Sequence, residues 1–213
     1  MSDIIDEINE DIESEKFLFI VKKYGKYVLY VSCIVLLVVS VFIYKNHRDD
    51  VRQQKLSQVY YSFLSNVKAG LPKELSQEKN NVYSSLARID YAMHLRNQKM
   101  YKESLDFLFE VIKSSSNDEM RNLAGIHAVL IAMKSNLVEE NYKIFADLGK
   151  STKAKAPFAD LLIWVLAEME ISRKQEGVAS ELLNKIDQKS AHQSIKLLYD
   201  IAKGSINFNI KKS

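Results

Sequence analysis

The apolar and polar positions divide the chain into one long apolar run near the N-terminus and a series of amphipathic segments after it. From Tyr27 to Tyr44 the sequence holds 18 residues without a charge, rich in Val, Leu and Ile. At about 1.5 Å per residue such a helix spans roughly 27 Å, close to the hydrocarbon thickness of a bilayer. The pattern therefore predicts a transmembrane helix over residues 27–44.

Two alternatives, a cleaved secretory signal and a buried soluble helix, fit this run less well. A secretory signal begins with a short basic region and stops at small residues. Here an acidic segment comes first and Tyr-Lys-Asn-His-Arg follows the run. A soluble core helix would carry a polar face, but the run offers only Ser32, Cys33 and Ser40. We therefore interpret residues 27–44 as an uncleaved anchor.

The charges that flank the anchor leave its orientation open. Four Lys or Arg lie within about 20 residues of each end, so the positive-inside rule does not decide. A short N-terminal segment left inside, with the bulk of the chain translocated, is the simpler topology for an uncleaved anchor. We adopt it as the expectation.

Residues 1–26 combine an acidic helix with a basic juxtamembrane segment. Ile5, Ile8 and Ile12 form one apolar stripe among acidic side chains. Two interpretations stay open for this segment, a frayed helix kept soluble by its charge and a docking helix for a partner. Binding flat on an anionic lipid surface is disfavoured, because the acidic side chains would be repelled.

Helical periodicity continues after the anchor. Residues 45–71 form an amphipathic linker helix with apolar positions at i, i+3, i+4 and i+7, ending near Gly70 and Pro72. Over residues 72–213 the amphipathic segments come in pairs, and Gly and Pro are sparse. The expected fold class is all-α, with a single N-terminal transmembrane helix followed by a tetratricopeptide-like solenoid of helical pairs.

Small residues indicate the repeat register. They recur midway along three successive first helices, at spacings of 36 and 39. These residues are Ala92, Ala128 and Ala167. Ser104 and Ala179 occupy the matching small position on the second helices of pairs one and three. In the second pair Glu140 stands where a small residue belongs, so that pair fits the pattern poorly.

The composition shows no pattern typical of an enzyme, a metal site or a nucleic-acid-binding protein. The net charge is +3, with Lys and Arg interspersed among Asp and Glu, which does not indicate nucleic-acid binding. The single cysteine lies inside the predicted anchor, so no disulfide can form within the chain. The four His are far apart and lack the spacing of a metal site, and no phosphate loop or nucleophile motif occurs. We expect no enzyme, no cofactor and no metal.

Protein binding is the remaining hypothesis for the function, and the repeat register assigns five residues to a concave binding groove. They are Met93 and Arg96 from the first pair, Val129 and Met133 from the second, and Trp164 from the third. Methionine is an adaptable side chain that suits a groove for varied apolar segments. For each residue the alternative, a place in the core, stays open. If Trp164 is a core residue, Trp164→Ala should cost about 3–5 kcal/mol, whereas a groove tryptophan should affect binding instead.

The order of these features resembles a known family. The stretches EINEDIESEK and KKYGKY, the apolar run and the helical pairs are similar to the YfgM-type ancillary subunits of the SecYEG translocon, with Glu7, Glu10, Asp11 and Lys23-Tyr24-Gly25 as the matching residues. As a motif the resemblance covers only residues 5–45. It implies an inner-membrane protein with a cytoplasmic N-terminus and a tetratricopeptide-like domain in the periplasm. It also implies association with the translocon and with periplasmic chaperones or secreted clients, and no catalytic residues or cofactor.

Two functions are consistent with these features. The first is a membrane-anchored interaction protein at the Sec translocon. The alternative is a structural or assembly scaffold for an envelope or cytochrome-maturation complex. Crosslinking in membranes, followed by identification of the partners, separates them.

Overall fold

The computed structural model is all-helical over the residues it describes. Its backbone is described for residues 2–153, 155–187 and 192–210, and its side chains for residues 30, 31, 34–153, 155–187, 192–204 and 206. No strand occurs in these ranges, which confirms the all-α class. The chain divides into two compact units, residues 1–54 and 55–213.

The first unit consists of the N-terminal part of one long helix, α1 (Ser2–Ser65), whose last turns belong to the second unit. From Ile34 to Tyr44 the large apolar side chains are all 45–70% exposed. Among the residues that the structure describes, we find no helix long and apolar enough to cross a bilayer. The predicted anchor includes residues 27–29, 32 and 33, whose side chains lie outside the described set, as do those of the acidic segment 1–26.

The second unit continues from the end of α1 through a 3-10 turn and a series of helices. These are the 3-10 turn Val67–Ala69, α2 (Lys73–Gln77), α3 (Val82–Asn97), α4 (Tyr101–Ser114), α5 (Asp118–Ser135), α6 (Val138–Ser151), α7 (Ala159–Ser172), α8 (Glu176–Leu183) and α9 (Gln193–Ile210). From α3 to α8 each helix packs against its neighbours in the chain, most extensively α4 against α3 and α5, and α8 against α7.

Local sequence explains several helix ends. The Asn81 side chain accepts from the backbone N–H of Tyr83, and Asn117 accepts from that of Glu119, so each asparagine caps a helix start. Asn136 ends α5 in the left-handed conformation, which asparagine tolerates better than most residues. Gly70, with φ of +95°, ends the 3-10 turn after α1.

Buried side chains form three clusters in the second unit. The largest is built by α3 to α7, and a second joins α7, α8 and α9. The third packs Leu56 and Phe63 of α1 against Leu75 of α2 and Ala87 of α3. The last turns of α1, which were predicted to be a linker helix, contribute Leu56 and Phe63 to the core of the second unit.

Small residues are found where the repeat register expects close helix packing. Ala92 and Ser104 are fully buried in the first pair, and Ala167 and Ala179 in the third. In the second pair Glu140 is exposed and lies 3.3 Å from the Lys102 ammonium of α4. In the structure α6 packs much less extensively on α5 than α4 does on α3. The helical pairs are therefore unequal.

A buried arginine fastens α2 to α3. Arg88 is 1% exposed, and its guanidinium donates to the carbonyls of Leu75, Ser76, Glu78 and Ser84. Its Nε lies 3.1 Å from Glu110 Oε2 as an ion pair without an aligned hydrogen bond. Because a buried charge is tolerated only when it is paired and hydrogen-bonded, this arginine is a structural residue.

Candidate protein-binding site

The five residues predicted from the register differ in burial. Val129 is fully buried in the largest cluster, so it has no surface with which to contact a partner in this structure. Met93 and Met133 are half-buried and pack against the same cluster. Arg96 is half-buried, and its guanidinium donates to the Asn97 side chain. A role for Met93, Arg96 or Met133 in binding stays a prediction.

Trp164, the fifth predicted residue, contacts the cores on both sides of α7. It is half-buried and packs against the largest cluster and against the cluster shared by α7, α8 and α9. Its indole N–H donates to the carbonyl of Leu198 in α9, at 3.2 Å. The indole therefore helps to hold α9 against α7, and its partial exposure leaves a role in binding as a prediction.

Three polar side chains on α1, α3 and α5 are also half-buried, namely Tyr60, Asp90 and His127. The Tyr60 hydroxyl donates a hydrogen bond to the Asp90 carboxylate at 2.7 Å. Burial is the main cause that raises the pKa of Tyr60 above its ordinary value, and this hydrogen bond is the second. Burial lowers the pKa of His127, and the positive charge of Arg96 lowers it further, whereas the negative charge of Asp90 raises it. A neutral imidazole is therefore favoured in the folded chain.

A cavity of about 380 Å³ opens between α6 and α8. Tyr142 and Phe145 of α6, Leu166 of α7, and Val178 and Leu182 of α8 supply its apolar lining. Phe145 and Leu166 are buried, whereas Val178 is 38% exposed at the edge. The cavity is therefore a groove with an apolar base that is accessible from outside.

One end of this groove is closed by a salt-bridge network. Arg173 is bonded at 2.7 Å to Glu139 of α6 and at 2.7 Å to Glu170 of α7, and its guanidinium stacks 3.7 Å from the ring centre of Tyr142. The hydrogen bond to Glu139 raises the pKa of Arg173, and the same bond lowers the pKa of Glu139. Glu170, the buried carboxylate of the lining, already has Arg173 as its partner within the chain.

The other end of the groove carries lysines. Lys150 of α6 and Lys185, which follows α8, both belong to the lining. The Lys185 ammonium donates to the carbonyl of Gly149 at 2.8 Å, near the C-terminal end of α6. Gly149 has no side chain to separate the helices, and a Cβ there would lie 3.3 Å from the Leu182 side chain. One cation is thus held in place at the mouth of the groove.

The described side chains contain no group of three or more His, Cys, Asp or Glu able to hold a metal ion. The α6–α8 groove was not predicted from the sequence. Its lining combines residues of α6, α7 and α8, which helical periodicity within single segments does not bring together.

No family model, curated protein or solved structure matches the chain.

Proposed function

We propose that the chain is a membrane-anchored protein-interaction module, an ancillary subunit at the Sec translocon that contacts secreted clients or periplasmic chaperones through its helical domain. The N-terminus is cytoplasmic and the helical domain periplasmic in this proposal. The partners and the topology come from the resemblance of residues 5–45 to the YfgM-type subunits. The anchoring and the interaction role are supported by observations on this chain.

The observation that carries the proposal is the exposure of α1 from Ile34 to Tyr44. Apolar side chains on successive positions point to every side of a helix, and here all the large ones are exposed. In water such a surface is unfavourable by about 25 cal/mol for each Å² left uncovered. An apolar solvent is its natural environment, and together with the uncharged residues 27–33 it reaches the length of a transmembrane segment.

The interaction role is supported by the second unit. In this proposal its helices form tetratricopeptide-like pairs, and repeat domains of that class bind other proteins on extended concave surfaces. A groove with an apolar base and charged edges lies on α6 and α8, and half-buried methionines lie on α3 and α5. An apolar centre with a polar rim is the common anatomy of a protein interface.

Site-specific photo-crosslinking in native membranes tests the function. A photoreactive amino acid at Leu130, which is exposed on α5, or at Val178 on the groove edge should form adducts with translocon subunits, periplasmic chaperones or secreted proteins. A control at Lys143, exposed on α6 outside the groove, should form fewer. Adducts confined to one envelope or cytochrome-maturation complex would instead support a scaffold.

Reporter fusions test the topology. A reporter that is active only in the periplasm, fused to the C-terminus, should be active, and a cytoplasmic reporter at the same position should be inactive. The reverse pattern would place the helical domain in the cytoplasm and remove translocated clients from the proposal.

A further inference from the structure

The α6 side of the α6–α8 groove comes mainly from the C-terminal half of that helix. Phe145 is buried at the base, Ala146 is half-buried and Lys150 is exposed. Across the groove, Val178 of α8 is 38% exposed. The base is therefore covered and apolar, whereas the edges are accessible to a partner.

The lining fits a peptide better than a free small molecule. Sites for small molecules place a few convergent polar groups inside an apolar pocket to fix the ligand. Here the one buried carboxylate, Glu170, is occupied by Arg173, and the remaining polar groups lie on the rim. Apolar side chains of a chain laid along the groove could fill the base, while its polar groups meet the rim.

The charge of the rim selects the partner. The lining contains two lysines, Lys150 and Lys185, and one acidic residue that is not paired with Arg173, Glu181, so positive charge is in excess among the lining residues. The hydrogen bond to Gly149 already restrains Lys185, so less side-chain entropy is lost when it binds an anion. An ammonium has three donors, and two remain for a partner.

We propose that the α6–α8 groove binds a peptide segment of a partner protein in which neighbouring apolar side chains are followed by an acidic residue. The apolar side chains occupy the space over Phe145 and Leu166, and the carboxylate lies between Lys150 and Lys185. The proposal rests on the proposed function, because it names a surface through which the interaction module holds a partner.

Selection from a displayed library of random short peptides tests the proposal. The full chain, reconstituted in lipid nanodiscs, serves as the bait, and empty nanodiscs remove lipid binders. The enriched peptides should share apolar residues followed by Asp or Glu. One such peptide, labelled with a fluorophore, then gives dissociation constants by anisotropy. No enrichment over empty nanodiscs would overturn the proposal.

Two variants block the groove. Ala146 is half-buried in the lining, so Ala146→Leu fills the cavity and should weaken binding at least about tenfold, as loss of a central contact does. Val178→Glu, at the exposed edge, keeps the core intact and should also weaken binding if Ala146→Leu proves unstable. Lys143→Leu, on the same helix but outside the lining, is the matched control.

Reversing the charges of the two lysines tests whether the groove prefers an acidic residue in the peptide. Lys150→Glu combined with Lys185→Glu should weaken binding about two- to fivefold at low salt, within the range of exposed ion pairs. A peptide with Lys in place of its acidic residue should bind the wild type weakly and regain affinity for this double variant. If the selected peptide binds every variant with equal affinity, the groove proposal is wrong. The proposed interaction function is unaffected by that result, because the crosslinking experiment tests it separately.

Discussion

The Ser104 hydroxyl of α4 donates a hydrogen bond to the backbone carbonyl of Ala92 in α3, with 2.7 Å between the two oxygens. Both residues are fully buried, so the space between the helices admits only a small side chain. We expect Ser104→Leu to lower the free energy of unfolding by about 1–3 kcal/mol through overpacking. Ser104→Ala should cost about 1 kcal/mol through loss of the hydrogen bond.

Denaturant unfolding of the full chain, followed by the fluorescence of Trp164, measures both changes, since the chain has one tryptophan. Asp106→Leu, on the exposed face of α4, is the control and should change stability by less than about 0.5 kcal/mol. Equal stability of Ser104→Leu and the control would contradict the close packing of the first pair.

Two glycines should respond in opposite ways to a side chain. Gly177 in α8 has open space around it, so Gly177→Ala should raise stability by about 0.5–1 kcal/mol through helix propensity. A Cβ on Gly125 in α5 would lie 2.6 Å from Leu148 and 3.1 Å from Leu162. Gly125→Leu should therefore lower stability by about 1–3 kcal/mol. The same unfolding experiment compares them, and a stable Gly125→Leu chain would refute the packing of α5 on α6 and α7.

Arg88 should be one of the most sensitive positions in the second unit. Arg88→Met leaves several buried carbonyls without their donor, and a loss of about 3–5 kcal/mol is expected. Arg88→Lys should recover little of it, because one ammonium cannot reach carbonyls on both α2 and the following loop. Glu110→Gln, at a half-exposed site, should cost much less. Melting temperatures of the three variants provide the comparison, and near-wild-type stability of Arg88→Met would contradict the structural role.

His127 gives the second unit a pH dependence with a defined sign. Burial and Arg96 lower its pKa in the folded chain, so the unfolded chain binds the proton more readily. Stability should therefore fall as the pH drops below the ordinary value of 6.5 and continue to fall towards the folded pKa. In His127→Gln this part of the pH dependence should disappear. Unfolding measured across that range in both chains checks it, and parallel curves would exclude His127 as the source.

Helical periodicity and small residues were sufficient to predict the all-α class and the close pairs. Ala92 with Ser104 and Ala167 with Ala179 are visible in the sequence because the position requires a small residue whatever the neighbouring contacts are. The same rule marks Glu140 as an exception. The α6–α8 groove depends on how α6, α7 and α8 pack together, which the periodicity of each helix does not determine.

Helical periodicity also does not predict polar contacts between residues that are far apart in the sequence. Arg88 lies in an ordinary amphipathic pattern, but it is buried against carbonyls of α2, more than ten residues before it in the chain. Val129 was assigned to the groove by register, yet in the structure the neighbouring helices cover it completely. A register places a residue on a helix face, but only the packing of the other helices decides whether that face is covered.

Cysteine accessibility in membranes tests most directly the claim that the chain is membrane-anchored. In a Cys33→Ser background, Val38→Cys and Asn46→Cys are treated with a membrane-impermeant maleimide in open membrane fragments. A thiol in the hydrocarbon layer should remain unlabelled until detergent is added, because it neither ionises nor meets the reagent there, whereas the thiol at position 46 should react at once. Equal labelling of both positions without detergent, or recovery of the chain in the soluble fraction, would contradict the anchor.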